Sequence, residues 1–320
     1  MINKIIILAG DPNSINSEII LKLWKQTNTK IRNRIIVIGN YKLIANQSKK
    51  LMIKVNLNKL ENINEKNVKG CLNIINWPLK FKSCFNVSEN EAAKYVVGCL
   101  KFAHKLASEK KIKGFINCPI DKNLIKNNRT FGVTEFLAKK SNIKKNSEIM
   151  LLYNKKLSVV PLTTHIGIKN ISENIKKNTI VKKIITLFKY YKKNFKIAPK
   201  AAILGLNPHN LEFSKKSEEI KEIIPAIKTI KKTNKLDGPF VPDNFFINKY
   251  KNYNVVIGMY HDQVLIPFKH LFNFDAINIT LGLKYIRVSP DHGTAKDIIG
   301  KNKANIKSIQ QCLVFMSKIK

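Results

Sequence analysis

The chain has 320 residues, 44% of them hydrophobic, and a formal net charge of +37. That length suits one large α/β unit or two domains sharing a cleft, and no segment reaches the roughly 20 apolar residues that a membrane span requires. Arginine occurs only as Arg32, Arg34, Arg129 and Arg287, so the charge is nearly all lysine, scattered among abundant Asn and Ile; this is compositional drift on solvated faces, and it argues against a nucleic-acid groove, where arginine forks are recruited.

Taken in chain order, the amino terminus MINKIIILAGDP has an apolar run too short for a secretory signal, and IIILAG reads as a first strand. RIIVIGN, around 34–40, is a second, with a helix in NSEIILKLWKQ between them, a βαβ opening that implies a parallel sheet. Residues 44–90 are rich in Asn and Lys and yield no clear elements. EAAKYVVGCLKFAHKLASEKK has helical spacing and GFINCPI enters a loop as a strand. GVTEFLAKKS starts a helix, with Thr134 as its cap. EIMLLYN and LSVVPLTT are strands, 171–194 is an amphipathic helix, and AAILGLNPH is a strand and turn. SEEIKEIIPAIKTIKK is helical, kinked or divided by Pro225. DGPFVPDN, with two prolines and a glycine, reads as loop. VVIGMYHDQVLIPFK and AINITLGLKYIRVSP add strands, and the chain closes in a helix. The fold class is α/β. Cys71, Cys84, Cys99, Cys118 and Cys312 are odd in number and lack CxxC spacing, which points to reduced thiols and a cytoplasmic protein.

Three apolar runs end in a turn and a histidine: SVVPLTTHIG with His165, AAILGLNPHN with His209 and VVIGMYHDQ with His261. If the runs are buried parallel strands, all three imidazoles lie at carboxyl ends, where open α/β sheets gather ligands. One such histidine is ordinarily a satisfied loop residue; three of the chain's six suggest a catalytic divalent-metal site with a free coordination position.

In order along the chain, GDP followed by a glutamate, GVTEFLA, PLTTHI, GLNPH, GMYHDQVLIPFK and AINITLGLKYIRVSPDHGTAKDIIG resemble the 4-hydroxythreonine-4-phosphate dehydrogenase family of pyridoxal-phosphate (vitamin B6) biosynthesis, from about residue 8 to residue 300. The resemblance implies an isocitrate/isopropylmalate-dehydrogenase-like fold with two α/β/α domains. The terminal domain would span 1–130 plus 288–320 and carry the cofactor's adenosine loop, and the middle domain, 131–287, would carry metal and substrate residues. It also implies an active site in the cleft and a homodimer that completes each site. The implied reaction is an NAD- (or NADP-) and metal-dependent oxidation of 4-phosphooxy-L-threonine to a 2-amino-3-oxo acid that loses carbon dioxide. Zinc, magnesium or cobalt would be held by His165, His209 and His261. Asp243, Asp262 and Lys269 match catalytic positions, without a choice of general base. Thr134, Lys269, Asn278 and Arg287 match substrate-binding positions, and Arg287 stands out as a retained guanidinium in a lysine-dominated chain. Asp291, His292, Gly293 and Asp297 match the adenosine loop. No GxGxxG follows the first strand, which argues against a Rossmann nucleotide site.

Departures from the family pattern are also visible. GDPAGIGPE is here GDPNSINSE, so Ser14 and Asn16 replace glycines, and the loop's shape is in question. Val133 stands where GHTE has a substrate-contacting histidine, and NLEFSKKSEE replaces the glycine-rich run after NPH. Three readings stay open: the dehydrogenase itself, a sibling acting on a phosphorylated four-carbon hydroxy acid such as threonate or erythronate phosphate, and a weakly catalytic relative. A non-catalytic basic binding protein on the same scaffold is the alternative from another class, with lysines on one continuous face as its signature.

Overall fold

The computed structural model describes residues 4–128, 132–141 and 148–318, and the chain divides into two compact units, 1–137 with 284–320, and 138–283. The expected boundary at 130/131 lies outside the described residues. Because the division follows Leu137 and precedes Lys284, Thr134 and Arg287 belong to the first unit.

In the first unit β1 (Ile5–Leu8), β2 (Ile35–Gly39), β3 (Leu57–Leu60), β4 (Leu72–Asn76), β5 (Gly114–Asn117) and β12 (Ile286–Pro290) lie in the order β3-β4-β2-β1-β5-β12, every neighbouring pair parallel. β1, β2 and β5 are buried throughout, as strands covered on both faces must be. The stretch 44–90, opaque by periodicity, contains a helix Tyr41–Lys50 overlapping its start and both β3 and β4; β3, LNKL, is polar because it lies at the edge of the order.

In the second unit β6 (Ile149–Tyr153), β7 (Ser158–Thr163), β8 (Ala201–Leu204), β9 (Leu236–Phe240), β10 (Val255–Tyr260) and β11 (Ile277–Leu281) run in the order β11-β6-β7-β10-β8-β9. β6 is antiparallel to both neighbours, so the sheet is mixed; β7, β10, β8 and β9 are parallel. Two expectations are corrected. DGPFVPDN is not all loop: β9 runs through a cis Gly238–Pro239 bond, tolerated because β9 ends the strand order and a proline's missing N–H costs little there. HDQVLIPFK is not strand: it forms the helix His261–Phe272, which buries Val264, Leu265 and Phe268 while Ile266 is 65% exposed. Each buried side chain of that kind stabilises by roughly 1.5–3 kcal/mol. A continuous apolar run does not distinguish a strand from a buried helix.

Pro225 does not divide its segment: a π-helical turn, Glu219–Ile223, runs directly into the α-helix Ile224–Lys231, with helical dihedrals at Ile223 and Ile224, and such a turn accommodates a proline that cannot donate its own hydrogen bond. Some of the scattered lysines fall in the last turns of helices, among them Lys25, Lys49, Lys50, Lys192, Lys193, Lys228 and Lys231, where cations complement the partial negative charge of the helix end. All five thiols are free and all but Cys71 are buried. Among the described residues no helix is long and apolar enough to cross a membrane.

Candidate active site

The three histidine-bearing strands are neighbours: β10 pairs in parallel with β7 on one side and β8 on the other. His165 follows β7 within the turn, His209 lies in the turn after β8, and His261 is the first residue of the helix after β10. The strand ends are knitted by side chains. Thr163 Oγ1 donates to the Met259 carbonyl at 2.7 Å. Gln263 accepts from the Met259 amide at 2.7 Å and donates to the Gly205 carbonyl at 2.8 Å, joining the ends of β10 and β8. Buried Glu219 takes the amides of Leu206 and Asn207 at 2.8 and 2.9 Å, which fixes the entry to the His209 turn. None of these three positioning residues stood out in the sequence; Gln263 carried the only usable signal, a polar side chain two residues after His261.

The His165 and His261 rings lie 6.4 Å apart, centre to centre. Two imidazoles on one tetrahedral ion, with metal–nitrogen bonds of about 2.1 Å, have centres roughly 5 Å apart. His261 Nδ1 meets Asp262 Oδ1 at 2.6 Å, an orienting contact after which Nε2 is the ring atom that could coordinate an ion. Among the described residues no three His, Cys, Asp or Glu side chains already form a cluster able to hold an ion. The donor chemistry and the oriented His261 fit a divalent metal, and the His165 and His261 rings would have to close in by about an ångström to share it. His165 and His209 are exposed and carry positive φ, both +50°.

Asp243, in the first turn of Pro242–Phe245, accepts the Asn244 amide at 2.6 Å. Together with Asn207, His209, Phe246, Tyr260 and Gln263 it lines a cavity of about 470 Å³, so the structure joins Asp243 to His209. Lys269 lies in the last turn of His261–Phe272 and is exposed. Asn278 is half-buried on β11, and its side-chain oxygen is buried without a hydrogen-bond partner among the described residues.

The remaining candidates belong to the first unit. Thr134 is not a cap: the helix begins at Val133, and the Phe136 amide bonds the Gly132 carbonyl at 3.0 Å, so Thr134 sits inside the first turn, where hydroxyls and free amides suit an anion. Arg287 on β12 is 4% exposed and its Nε donates to Asn117 Oδ1. Burial pulls its pKa down to about 10, while Cys312, Glu135 and Tyr285 nearby favour the charged form; it stays cationic at neutral pH. After β12, the Asp291 amide is held by Ser308 Oγ at 2.8 Å, and His292 Nδ1 lies 2.9 Å from the Gly293 carbonyl. Asp297 and Gly293 are exposed, and a Cβ at Gly293 would meet nothing within 4 Å, which leaves room for a ligand.

The altered first loop is ordered by its own substitutions. Ser14 Oγ donates to the Asp11 carbonyl at 2.6 Å, and Asn16 Nδ2 donates to the carbonyls of Asp11 and Pro119 at 3.3 and 2.8 Å. The glycine still required is Gly10, with φ +72°, where a Cβ would stand 2.5 Å from Asn16 Nδ2.

Residues 31–315 match the family described as pyridoxal phosphate biosynthetic protein PdxA. The chain is 42% identical over 316 residues to a 4-hydroxythreonine-4-phosphate dehydrogenase of Aquifex aeolicus (strain VF5), covering 96% of this chain and 95% of that protein. It is 39% identical over 311 residues to one of Sulfurihydrogenibium sp. (strain YO3AOP1), covering 95% and 94%. Its fold is similar to the crystal structure of 4-hydroxythreonine-4-phosphate dehydrogenase from Klebsiella pneumoniae, with a TM-score of 0.83, 27% identity and 98% of both chains covered.

Proposed function

Since the chain belongs to the pyridoxal phosphate biosynthetic protein PdxA family and is a nicotinamide-dependent dehydrogenase, we propose that it oxidises 4-phosphooxy-L-threonine with NAD in pyridoxal phosphate biosynthesis. The observation that carries the reading is the alignment of His165, His261 and His209 at the carboxyl ends of three adjacent parallel strands.

A divalent cation held by these imidazoles would supply Lewis-acid stabilisation of the substrate oxygen as its proton leaves. A bound nicotinamide would supply the hydride acceptor for the carbon that bears this oxygen. The resulting 2-amino-3-oxo acid loses carbon dioxide, the electron pair of the broken carbon–carbon bond passing into an enolate that is then protonated, and the product is 3-amino-2-oxopropyl phosphate. The protein's share is orientation and proton handling. Asp262 fixes the His261 ring. Asp243 lines the same cavity as His209, which supports it, beside Asp262, as a carboxylate that could relay the hydroxyl proton. Lys269 and Arg287 are cations for the substrate's anionic groups, Arg287 with a planar fork that Asn117 helps to aim. Thr134 adds a hydroxyl at a helix amino end. The unpartnered Asn278 oxygen accepts a substrate N–H or O–H.

The carboxylates of Asp291 and Asp297 could accept hydrogen bonds from the free hydroxyls of a ribose, which supports NAD. Exposed Ile166, Ile168, Leu211 and Phe213 flank His165 and His209; this supports a homodimer that covers them and completes each site. Reduced thiols support a cytoplasmic setting.

The test is NADH formation with 4-phosphooxy-L-threonine, with and without a chelator, beside threonate and erythronate phosphates. Chelator-sensitive turnover of the amino acid is expected. Preference for either hydroxy acid would replace this substrate, and silence on all three in a metal-loaded protein would overturn the catalytic reading.

A further inference from the structure

Three loops of the first unit meet around two carboxylates. Asp11, 3% exposed, follows β1; its Oδ1 accepts the Asn13 amide at 2.8 Å and its Oδ2 the Asp121 amide at 3.3 Å. Asp121, in the loop after β5, takes the ammonium of Lys296 on its own Oδ2. Lys296 comes from the loop after β12, and the same loop is tied a second time where the Ile15 amide donates to the Thr294 carbonyl at 3.3 Å. Between these two ties stands Ala295, in the left-handed region at φ 47° and ψ 57°. A β-carbon resists that conformation, so it persists only where flanking contacts hold it; Thr294 and Lys296 supply them on either side.

Most ion pairs on a surface this rich in lysine contribute little. This one differs in its partner: the Asp121 side chain is 21% exposed and lies against the buried Asp11, so the Lys296 charge offsets two carboxylates at once. We propose that Lys296 and Asp121 form a latch that holds residues 291–298 in the shape that receives the nicotinamide cofactor, both acting as positioning residues. The proposal rests on the reading of that loop as the adenosine site. A loop ordered before binding loses less freedom when the cofactor arrives.

The test is a double-mutant cycle of Lys296→Met and Asp121→Asn, read by NADH affinity in fluorescence titration and by hydrogen exchange of the 291–298 amides in the cofactor-free protein. Each single change is expected to weaken NADH binding about fivefold, near the upper end for an ion pair of this exposure. The double variant should be no weaker than either single one, and Lys296→Arg should restore binding. The KM for the cofactor should rise while kcat at saturation holds, and the loop amides should exchange faster in both single variants. Weakening by Lys296→Met alone, or additive losses, would mean that Lys296 touches the cofactor directly and would overturn the latch; unchanged exchange would do the same. A wild-type protein that binds no NADH overturns the adenosine-site reading and the latch's purpose with it, and faster exchange in the variants would then show that the tie itself exists.

Discussion

The turn after β1 and the turn after β8 have both exchanged the small residues of the family pattern for larger ones, and they absorb the change in opposite ways. In the first, Ser14 and Asn16 turn inward and become hydrogen-bond donors to the carbonyls of Asp11 and Pro119. In the second, the backbone keeps a conformation suited to glycine, with φ between 47° and 57° at His209, Asn210, Leu211, Glu212 and Phe213, and the side chains of Leu211 and Phe213 are each left 47% exposed. A lost glycine is thus repaired where the loop is buried and tolerated as strain where it borders the histidine site.

The sharpest way to separate the two turns is chemical. His209→Ala should cut kcat/KM by at least about a hundredfold and leave the unfolding free energy from urea denaturation within about 0.5 kcal/mol of wild type, because the residue is exposed; a large loss of stability would make the second turn structural like the first. Asn16→Gly should instead destabilise by roughly 1–3 kcal/mol, since it removes two buried hydrogen bonds, and equal stability in chemical denaturation would break the account of repair. Leu211→Gly should stabilise by about 1 kcal/mol by relieving a left-handed branched side chain, visible as a raised melting temperature; a fall would mean that Leu211 packs in a way its exposure belies. The smallest effect is pH-linked. Burial raises the Asp11 carboxyl above its ordinary pKa, so the folded form holds its proton more tightly than the unfolded chain, and this contribution to stability is complete at low pH and lost as pH rises through the raised value. Denaturation of wild type and Asp11→Asn at several pH values should therefore show the variant gaining relative to wild type as pH rises from the ordinary aspartate range; a constant difference would put Asp11 in a more solvated setting.

What could be read from the residues was the part encoded locally. IIIL, SVVPLT, AAIL and VVIGMY are unbroken apolar runs and became fully or largely buried strands, and the order of motifs pointed to the family. What escaped depends on tertiary context. VLIPFK became helix because its apolar residues find one face against the sheet, and DGPF became strand because an end position forgives a proline. The antiparallel β6 had no local mark, since it differs from its neighbours only in direction. Thr163, Gln263 and Glu219 looked like ordinary polar residues, and their importance exists only once β7, β10 and β8 lie side by side. How closely the three imidazoles approach one another was likewise not in the sequence, because the turns that set it are conformationally unusual.

The neighbouring position of those three strands has a consequence for how the protein can change. Adjacent strands are spaced about 4.8 Å apart, so the sheet fixes the lateral positions from which the histidines start. Reach is then set by the turns, in their length as well as their unusual backbone: His261 directly follows Tyr260, His165 comes shortly after Thr163, and His209 lies farther from Leu204. Insertions or deletions of a single residue between any of these strand ends and its histidine would move a ring out of register with the others, although surface loops elsewhere absorb such changes readily. The three turns act as spacers of fixed length, and drift in this chain can alter what they are made of far more freely than how long they are.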